Sequence, residues 1–226
     1  MLIQNIKQKF DPIYLGVLSL PILAVISIFL LELVLIMILC AFLINCVKEK
    51  KNFIYFDNFF FKFFILFYFY LLLNFVIQSK QIDTLSIIFY FRYSFYVIAI
   101  YFYLENKKNL LIDFLKVIFV LVLFLGIDSI FQSIFGYNIV GLKIITDYRA
   151  SSFFGDELIL GSFIFRVIPF ILIISFLKKN FLNDKITSFF LIFVFLIIFL
   201  SGERISMILT GILFVLYFFV FKKEYV

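Results

Sequence analysis

The chain has 226 residues, of which 65% are hydrophobic, 15% are charged and 38 are Phe. A soluble domain of this composition would expose large apolar patches, so the composition excludes a soluble globular protein. The net charge of +6 fits lysine-rich loops beside a membrane rather than nucleic-acid binding, and the absence of histidine removes the commonest general base and metal ligand.

Continuously apolar runs of about 18 or more residues predict transmembrane helices, and their lack of polar alternation argues against a β-barrel. The predicted fold class is therefore all-α: a polytopic transmembrane bundle of about eight helices that forms one domain over residues 1–226. The first apolar run, residues 13–47, would be roughly 52 Å long as one helix, which exceeds the ~30 Å hydrocarbon core. We predict a hairpin that turns near residues 27–32.

The remaining helices follow from the same reading of run length and charge. They are predicted at Phe59–Ile77, about Thr84–Leu104, about Leu110–Phe131, about Leu158–Leu177, and as a second hairpin over residues 186–221 that turns at the Ser-Gly-Glu-Arg of 201–204. The longest loop is predicted over about residues 132–157. Alternate loops then place twelve of the sixteen lysines on one side, so the positive-inside rule predicts both termini to be cytoplasmic.

All four arginines fall in the predicted outer half, where the same rule predicts few positive charges. Arg149 lies in the long loop, Arg204 lies at the tip of the last hairpin, and Arg92 and Arg166 each lie about eight residues inside a helix. Guanidinium groups bind phosphate bidentately and stay charged when desolvated. This segregation predicts a cationic pocket where helices four, five, six and eight converge, occupied by a phosphorylated lipid headgroup.

Structural roles are the alternative for each of these polar residues. Arg92 or Arg166 could instead pair with Asp128, Glu157 or another buried acid. Asp156 and Glu157 at the predicted start of helix six suit its positive dipole end. Gly155 is expected to supply a turn with positive φ, and Gly161 a close approach between helices.

Three segments carry a resemblance to a known family. They are DSIFQSIFGYNIVG from Asp128, FFGDELILGSFIFRVIP from Phe153 and SGERIS from Ser201. In this order, with Arg149 between the first two and Arg92 in helix four, they resemble the O-antigen ligase and O-antigen polymerase family of bacterial inner-membrane proteins, over roughly residues 60–221.

The resemblance implies transfer or polymerisation of undecaprenyl-diphosphate-linked oligosaccharide at the periplasmic face, with a growing glycan or the lipid A core as acceptor and without cofactor, metal or nucleic acid. It implies that Arg149 and Arg204 are the catalytic residues that engage the diphosphate. Substrate binding is assigned to Arg92, Asp128, Asp156, Glu157 and Arg166. The implied location is the inner membrane, in multi-pass form, in lipopolysaccharide or surface-polysaccharide biosynthesis.

The chain also departs from that family. Members are usually longer, and the ligases carry a histidine in a large periplasmic loop of their second half. We therefore expect this chain to correspond to the N-terminal portion of such a protein, with a partner chain as one possible source of the missing half. A non-catalytic membrane module, such as a transporter or a lipid-carrier-binding subunit, and an inactive truncated remnant stay open as alternatives.

Overall fold

The computed structural model describes residues 11–77, 89–107, 109–144, 149–177 and 184–221. Within these ranges the chain is all-helical, with an isolated bridge between Tyr137 and Lys143 but no strand. The α-helices are α1 Pro12–Ile26, α2 Ile28–Lys48, α3 Phe59–Ile77, α4 Arg92–Asn106, α5 Leu110–Phe135, α6 Leu160–Leu177, α7 Asp184–Ser201 and α8 Arg204–Phe221. Short 3-10 helices occupy Lys50–Asp57, Phe89–Phe91 and Ser152–Phe154.

Both predicted hairpins are present. Ser27 breaks the first apolar run in an extended conformation, and its hydroxyl accepts a hydrogen bond from Leu30 N at 3.4 Å at the start of α2. Helix α1 packs against α2 at Gly16, where an added Cβ would stand 3.5 Å from Val34 Cγ1. The second run turns at Gly202, whose φ of 66° is one that L side chains rarely adopt.

Three helix boundaries differ from the predictions in ways that move site residues. The described part of the fourth helix begins at Arg92, after a 3-10 turn, so the prediction that Arg92 lies eight residues inside a helix is wrong. Helix α5 continues to Phe135, so the predicted loop from residue 132 begins four residues later. Helix α6 begins at Leu160 rather than Leu158. Parts of the predicted long loop, residues 145–148, and of the predicted fourth helix, residues 84–88, lie outside the described ranges.

The described residues form two compact units, the N-terminal unit (residues 11–23 and 27–111) and the C-terminal unit (residues 24–26 and 112–221). In the N-terminal unit α2 packs on α4, with the Phe42 and Phe102 ring centroids 5.2 Å apart. Asp11 caps α1 through Ile13 N at 2.9 Å and pairs with Lys107 Nζ at 2.5 Å, just beyond α4. Partial burial raises the pKa of Asp11, but the bonds from Lys107 and Ile13 outweigh it, so the pKa lies below its usual value.

The core of the C-terminal unit is built by α5, α6 and α7. Its buried side chains recur every three or four residues along each helix, as the helical period requires. They are Leu115, Ile118, Val122, Leu125, Leu160, Ile164, Ile168, Ile171, Leu172, Phe190, Leu191, Val194, Ile197 and Ile198. Helices α5 and α7 approach closely at Gly126, where a Cβ would stand 2.3 Å from Ile197 Cδ1.

The described helices expose many apolar side chains, most of all along α3. Within α3 Phe61 is the buried residue, and side chains such as Leu66 and Leu73 are 69% and 63% exposed. Three of the described helices, α2, α3 and α5, are long and apolar enough to cross a membrane. Shorter apolar stretches occupy α1, α6, α7 and α8. Exposed apolar surface on this scale marks contact with lipid or with other proteins.

Candidate functional site

A network of buried polar side chains organises the loops at one end of the C-terminal unit. Asp128 and Gln132 are one turn apart on α5, so they share a face, and both are fully buried. The Asp128 carboxylate accepts hydrogen bonds from Ile139 N at 2.9 Å and from the Ser152 hydroxyl at 2.5 Å. No ion pair among the described residues involves Asp128, so the alternative in which an arginine pairs with Asp128 does not hold there.

Gln132 holds the same two loop segments through its amide. Its Oε1 accepts from Ser151 N at 3.0 Å and Ser152 N at 2.7 Å, and its Nε2 donates to Leu142 O at 3.3 Å. These bonds fix Ser152 at φ 53°, which is uncommon for a residue other than glycine. The sequence signal for this role was the Asp-x-x-x-Gln spacing, which puts two polar groups on one face of an otherwise apolar helix.

Asn138 completes the network and was not singled out in the sequence. It is fully buried, and its Oδ1 accepts from Val140 N at 3.1 Å and Leu142 N at 2.7 Å. Its Nδ2 donates to Ser152 O at 3.2 Å. Asn138 therefore stabilises the turn after α5 through two of the turn's own N–H groups, and it joins this turn to the segment that follows Arg149.

Arg149 lies at the C-terminal end of α7. Its Nε donates to Ser201 O at 3.0 Å, and the next residue, Ala150, donates its N–H to Leu200 O at 3.0 Å. The last four carbonyls of a helix have no partner inside the helix, and here both bonds satisfy such carbonyls. A cation is also favoured at the negative end of the helix dipole, so the position of Arg149 has a sufficient structural cause.

The terminal nitrogens of Arg149 form no ion pair with the described residues. The stem of the side chain lies against Gly202, where a Cβ would stand 2.8 Å from Arg149 Cγ. No ion pair among the described residues involves Arg149, Arg166 or Arg204, and the hydrogen bond of Arg149 uses Nε. Arg149 is thus a guanidinium that is held in place at one edge without being neutralised there.

Glu203 ties the turn between α7 and α8 to the beginning of α6. Its Oε1 accepts from Gly161 N at 2.8 Å and its Oε2 accepts from the Ser206 hydroxyl at 3.0 Å. A Cβ on Gly161 would stand 2.4 Å from Ser201 Oγ and 3.2 Å from Glu203 Cδ, which confirms the expected close approach at this glycine. Glu203 was not among the residues assigned to the site from the sequence, although it lies in the Ser-Gly-Glu-Arg turn next to Arg204.

The other residues assigned to the site in the C-terminal unit are exposed. Arg204 is the first residue of α8, beside the turn that holds Arg149, and Arg166 is the seventh residue of α6. Asp156 and Glu157 precede α6 by several residues, so the acid that bonds to the start of this helix is Glu203 instead. Gly155 has the expected positive φ, 57°.

Arg92 belongs to a separate cluster in the N-terminal unit. Its Nη2 lies 3.0 Å from Glu32 Oε1, and Glu32 also accepts from the hydroxyls of Tyr93 at 3.3 Å and Tyr96 at 3.2 Å. The Arg92 side chain is 39% exposed, and its guanidinium lies 5.2 Å from the centroid of the Tyr93 ring. The structural alternative of pairing with a carboxylate therefore holds for Arg92, with Glu32 in place of Asp128 or Glu157.

This pairing leads to a prediction about stability. Glu32→Leu is expected to lower the free energy of unfolding by about 1 kcal/mol, because it leaves the partly desolvated Arg92 charge without its partner. The double variant Glu32→Leu/Arg92→Leu is expected to recover most of this loss, since both charges are then gone. Denaturant titration of the purified chain in micelles would measure both values. Additive losses in the double variant would contradict the pairing.

Comparison of the chain with protein-family models, with curated proteins and with solved structures finds no match.

Proposed function

We propose that the chain is a multi-pass inner-membrane glycan transferase of the O-antigen ligase or polymerase type, with both termini on the cytoplasmic side. It would transfer or polymerise undecaprenyl-diphosphate-linked oligosaccharide at the periplasmic face. The membrane part of the proposal is supported by three helices of spanning length and by their exposed apolar faces. The resemblance in three segments around Arg149 supplies the class of reaction.

The observation that carries the proposal is the state of Arg149. Its Nε is bonded to Ser201 O, which fixes the plane of the guanidinium, while its terminal nitrogens have no anionic partner among the described residues. An immobilised but uncompensated guanidinium suits a phosphate ligand, because bidentate binding then requires little further ordering. Arg204 begins α8 three residues after Ser201, which accepts the bond from Arg149, and so adds a second positive charge at the same turn.

The chemistry of such a transfer needs this kind of group. A new glycosidic bond forms between the oxygen of the acceptor hydroxyl and the anomeric carbon of the donor as the bond from that carbon to the lipid diphosphate breaks. The hydroxyl proton leaves to the departing diphosphate or to water. Negative charge develops on the departing diphosphate, and fixed guanidinium groups stabilise that charge without reorganising. We assign this role to Arg149 and Arg204, while Arg166, Asp156 and Glu157 are exposed and available for binding the rest of the donor.

Arg149→Lys separates the proposed role from the structural one. Lysine keeps a positive charge at the end of α7 but lacks the planar fork, so we expect the variant to fold and glycan transfer to fall by roughly tenfold or more. The measurement is glycan ladder formation, with protein level as a reference, in a bacterial host whose own ligase and polymerase are deleted. Lys116→Arg is the matched control, because this exposed lysine pairs with Asp113 and lies away from the network.

Unchanged ladders in both Arg149→Lys and Arg204→Lys, at normal protein levels, would rule out the assigned roles. Loss of protein in Arg149→Lys would instead show that the capping bond to Ser201 is its main contribution.

A lipid-carrier-binding subunit without transfer activity is the second candidate. It is favoured by the state of two carboxylates, Asp128 and Glu203. Each already accepts two hydrogen bonds from the protein, so neither is free to act as a general base. Binding of undecaprenyl diphosphate to the purified chain without any product from a lipid-linked donor would favour this candidate over the transferase.

A further inference from the structure

Glu203 lies where three helix ends meet in the C-terminal unit. It directly precedes α8, its Oε2 accepts from Ser206 in the first turn of that helix, and its Oε1 accepts from Gly161 N in the first turn of α6. Its own N–H lies 3.4 Å from Ser201 Oγ at the end of α7. One carboxylate thus accepts from the unpaired Gly161 N–H at the start of α6 and from the Ser206 hydroxyl in the first turn of α8. Both positions lie at positive helix ends, where a negative charge is favoured.

The segment that Glu203 fixes is also the one that holds Arg149. Ser201 O accepts from Arg149 Nε, Leu200 O accepts from Ala150 N, and Gly202 leaves the space filled by the Arg149 stem. The turn is short, because two residues separate α7 from α8. A displacement of this turn relative to α6 would therefore move the acceptor that sets the plane of the Arg149 guanidinium.

We propose that Glu203 is a positioning residue for Arg149: by clamping the α7–α8 turn to the start of α6, it sets the orientation in which the guanidinium meets a lipid diphosphate. The identity of the ligand, a lipid diphosphate, rests on the proposed function. Glu203 itself does not contact the ligand in this scheme, because both of its carboxylate oxygens are already occupied by the protein. Small misplacements of a binding group cost much of its effect, so loss of the clamp weakens diphosphate binding.

The first test follows Arg149 directly and needs no ligand. With four arginines in the chain, side-chain Nε–H signals can be assigned by NMR of the ¹⁵N-arginine-labelled chain in nanodiscs. We expect slow hydrogen exchange at Arg149 Nε in the wild type, slow exchange in Glu203→Gln, whose amide oxygen can still accept from Gly161 N, and at least tenfold faster exchange in Glu203→Ala. Continued protection of Arg149 Nε in Glu203→Ala would overturn the proposal.

The second test uses undecaprenyl diphosphate as the probe and the same nanodiscs. Glu203→Ala is expected to weaken binding about tenfold, and Glu203→Gln much less. If Glu203 acts through Arg149, then Glu203→Ala has little further effect in an Arg149→Lys background, whereas a purely structural effect would add to it. Additive losses would overturn the positioning role.

The two tests separate this inference from the function on which it rests. Absence of diphosphate binding in the wild type, together with exchange that depends on Glu203, would reject the proposed ligand and leave the positioning of Arg149 established. Diphosphate binding that depends on Arg149 but not on Glu203 would reject the positioning role alone.

Discussion

Asp128→Ala is expected to lower the free energy of unfolding of the C-terminal unit by about 3 kcal/mol, since each buried donor left without an acceptor costs about 1–3 kcal/mol. Two donors lose their partner, the Ile139 N–H and the Ser152 hydroxyl. Ser152 is held at a positive φ that its neighbours must enforce, so the segment after Arg149 is expected to loosen as well. Denaturant unfolding in micelles would measure the loss, and amide exchange at Ser151 and Ser152 would locate it.

Asp128→Asn is the matched variant. An amide oxygen can still accept from Ile139 N, and the Ser152 hydroxyl can rotate to accept from the new amide, so a loss of less than about 1 kcal/mol is expected. The pair also tests the assignment of Asp128 to substrate binding. A folded, stable Asp128→Asn variant without glycan transfer would show that the carboxylate charge acts on the substrate and would contradict a purely organising role.

Asp128 illustrates what sequence could and could not provide at this site. A carboxylate near the end of an apolar helix was recognisable as a costly group with a specific partner. Its partner was not, because Ser152 lies 24 residues away and faces Asp128 only through a backbone conformation that serine seldom adopts. From the sequence, an arginine was one open alternative for that partner, whereas in the structure the Ser152 hydroxyl and the Ile139 N–H are the donors.

The helices themselves were largely predictable, since run length and the helical period fix where an apolar segment can begin and end. The exceptions are instructive. Run length and charge predict that the fifth helix ends at about Phe131, whereas α5 continues to Phe135 and the Gln132 amide is buried and bonded within the network. The apolar run before Arg92 predicts a helix from about Thr84, whereas residues 89–91 form a 3-10 turn and α4 begins at Arg92.

Gly161→Ala is expected to lower the free energy of unfolding by about 3 kcal/mol, at the upper end of the cost of overpacking. The added methyl would stand 2.4 Å from Ser201 Oγ, and Ser201 cannot simply rotate away because its hydroxyl is bonded to Ile198 O at 2.7 Å. The start of α6 and the α7–α8 turn would have to separate, which would also lengthen the bond from Gly161 N to Glu203. Thermal or denaturant unfolding in micelles would measure the loss.

A double-mutant cycle with Ser201→Ala identifies the contact that causes this loss. Ser201→Ala alone is expected to cost about 1 kcal/mol for its hydrogen bond, and the double variant about 2 kcal/mol rather than the additive 4, because the clashing oxygen is gone. Gly211→Ala is the control: Gly211 lies in α8 with nothing within 4 Å of its Cβ position, so alanine should be neutral or slightly stabilising. Strict additivity between Gly161→Ala and Ser201→Ala would mean that the added methyl does not meet Ser201 Oγ. The start of α6 would then lie farther from the α7–α8 turn than the bond from Gly161 N to Glu203 requires.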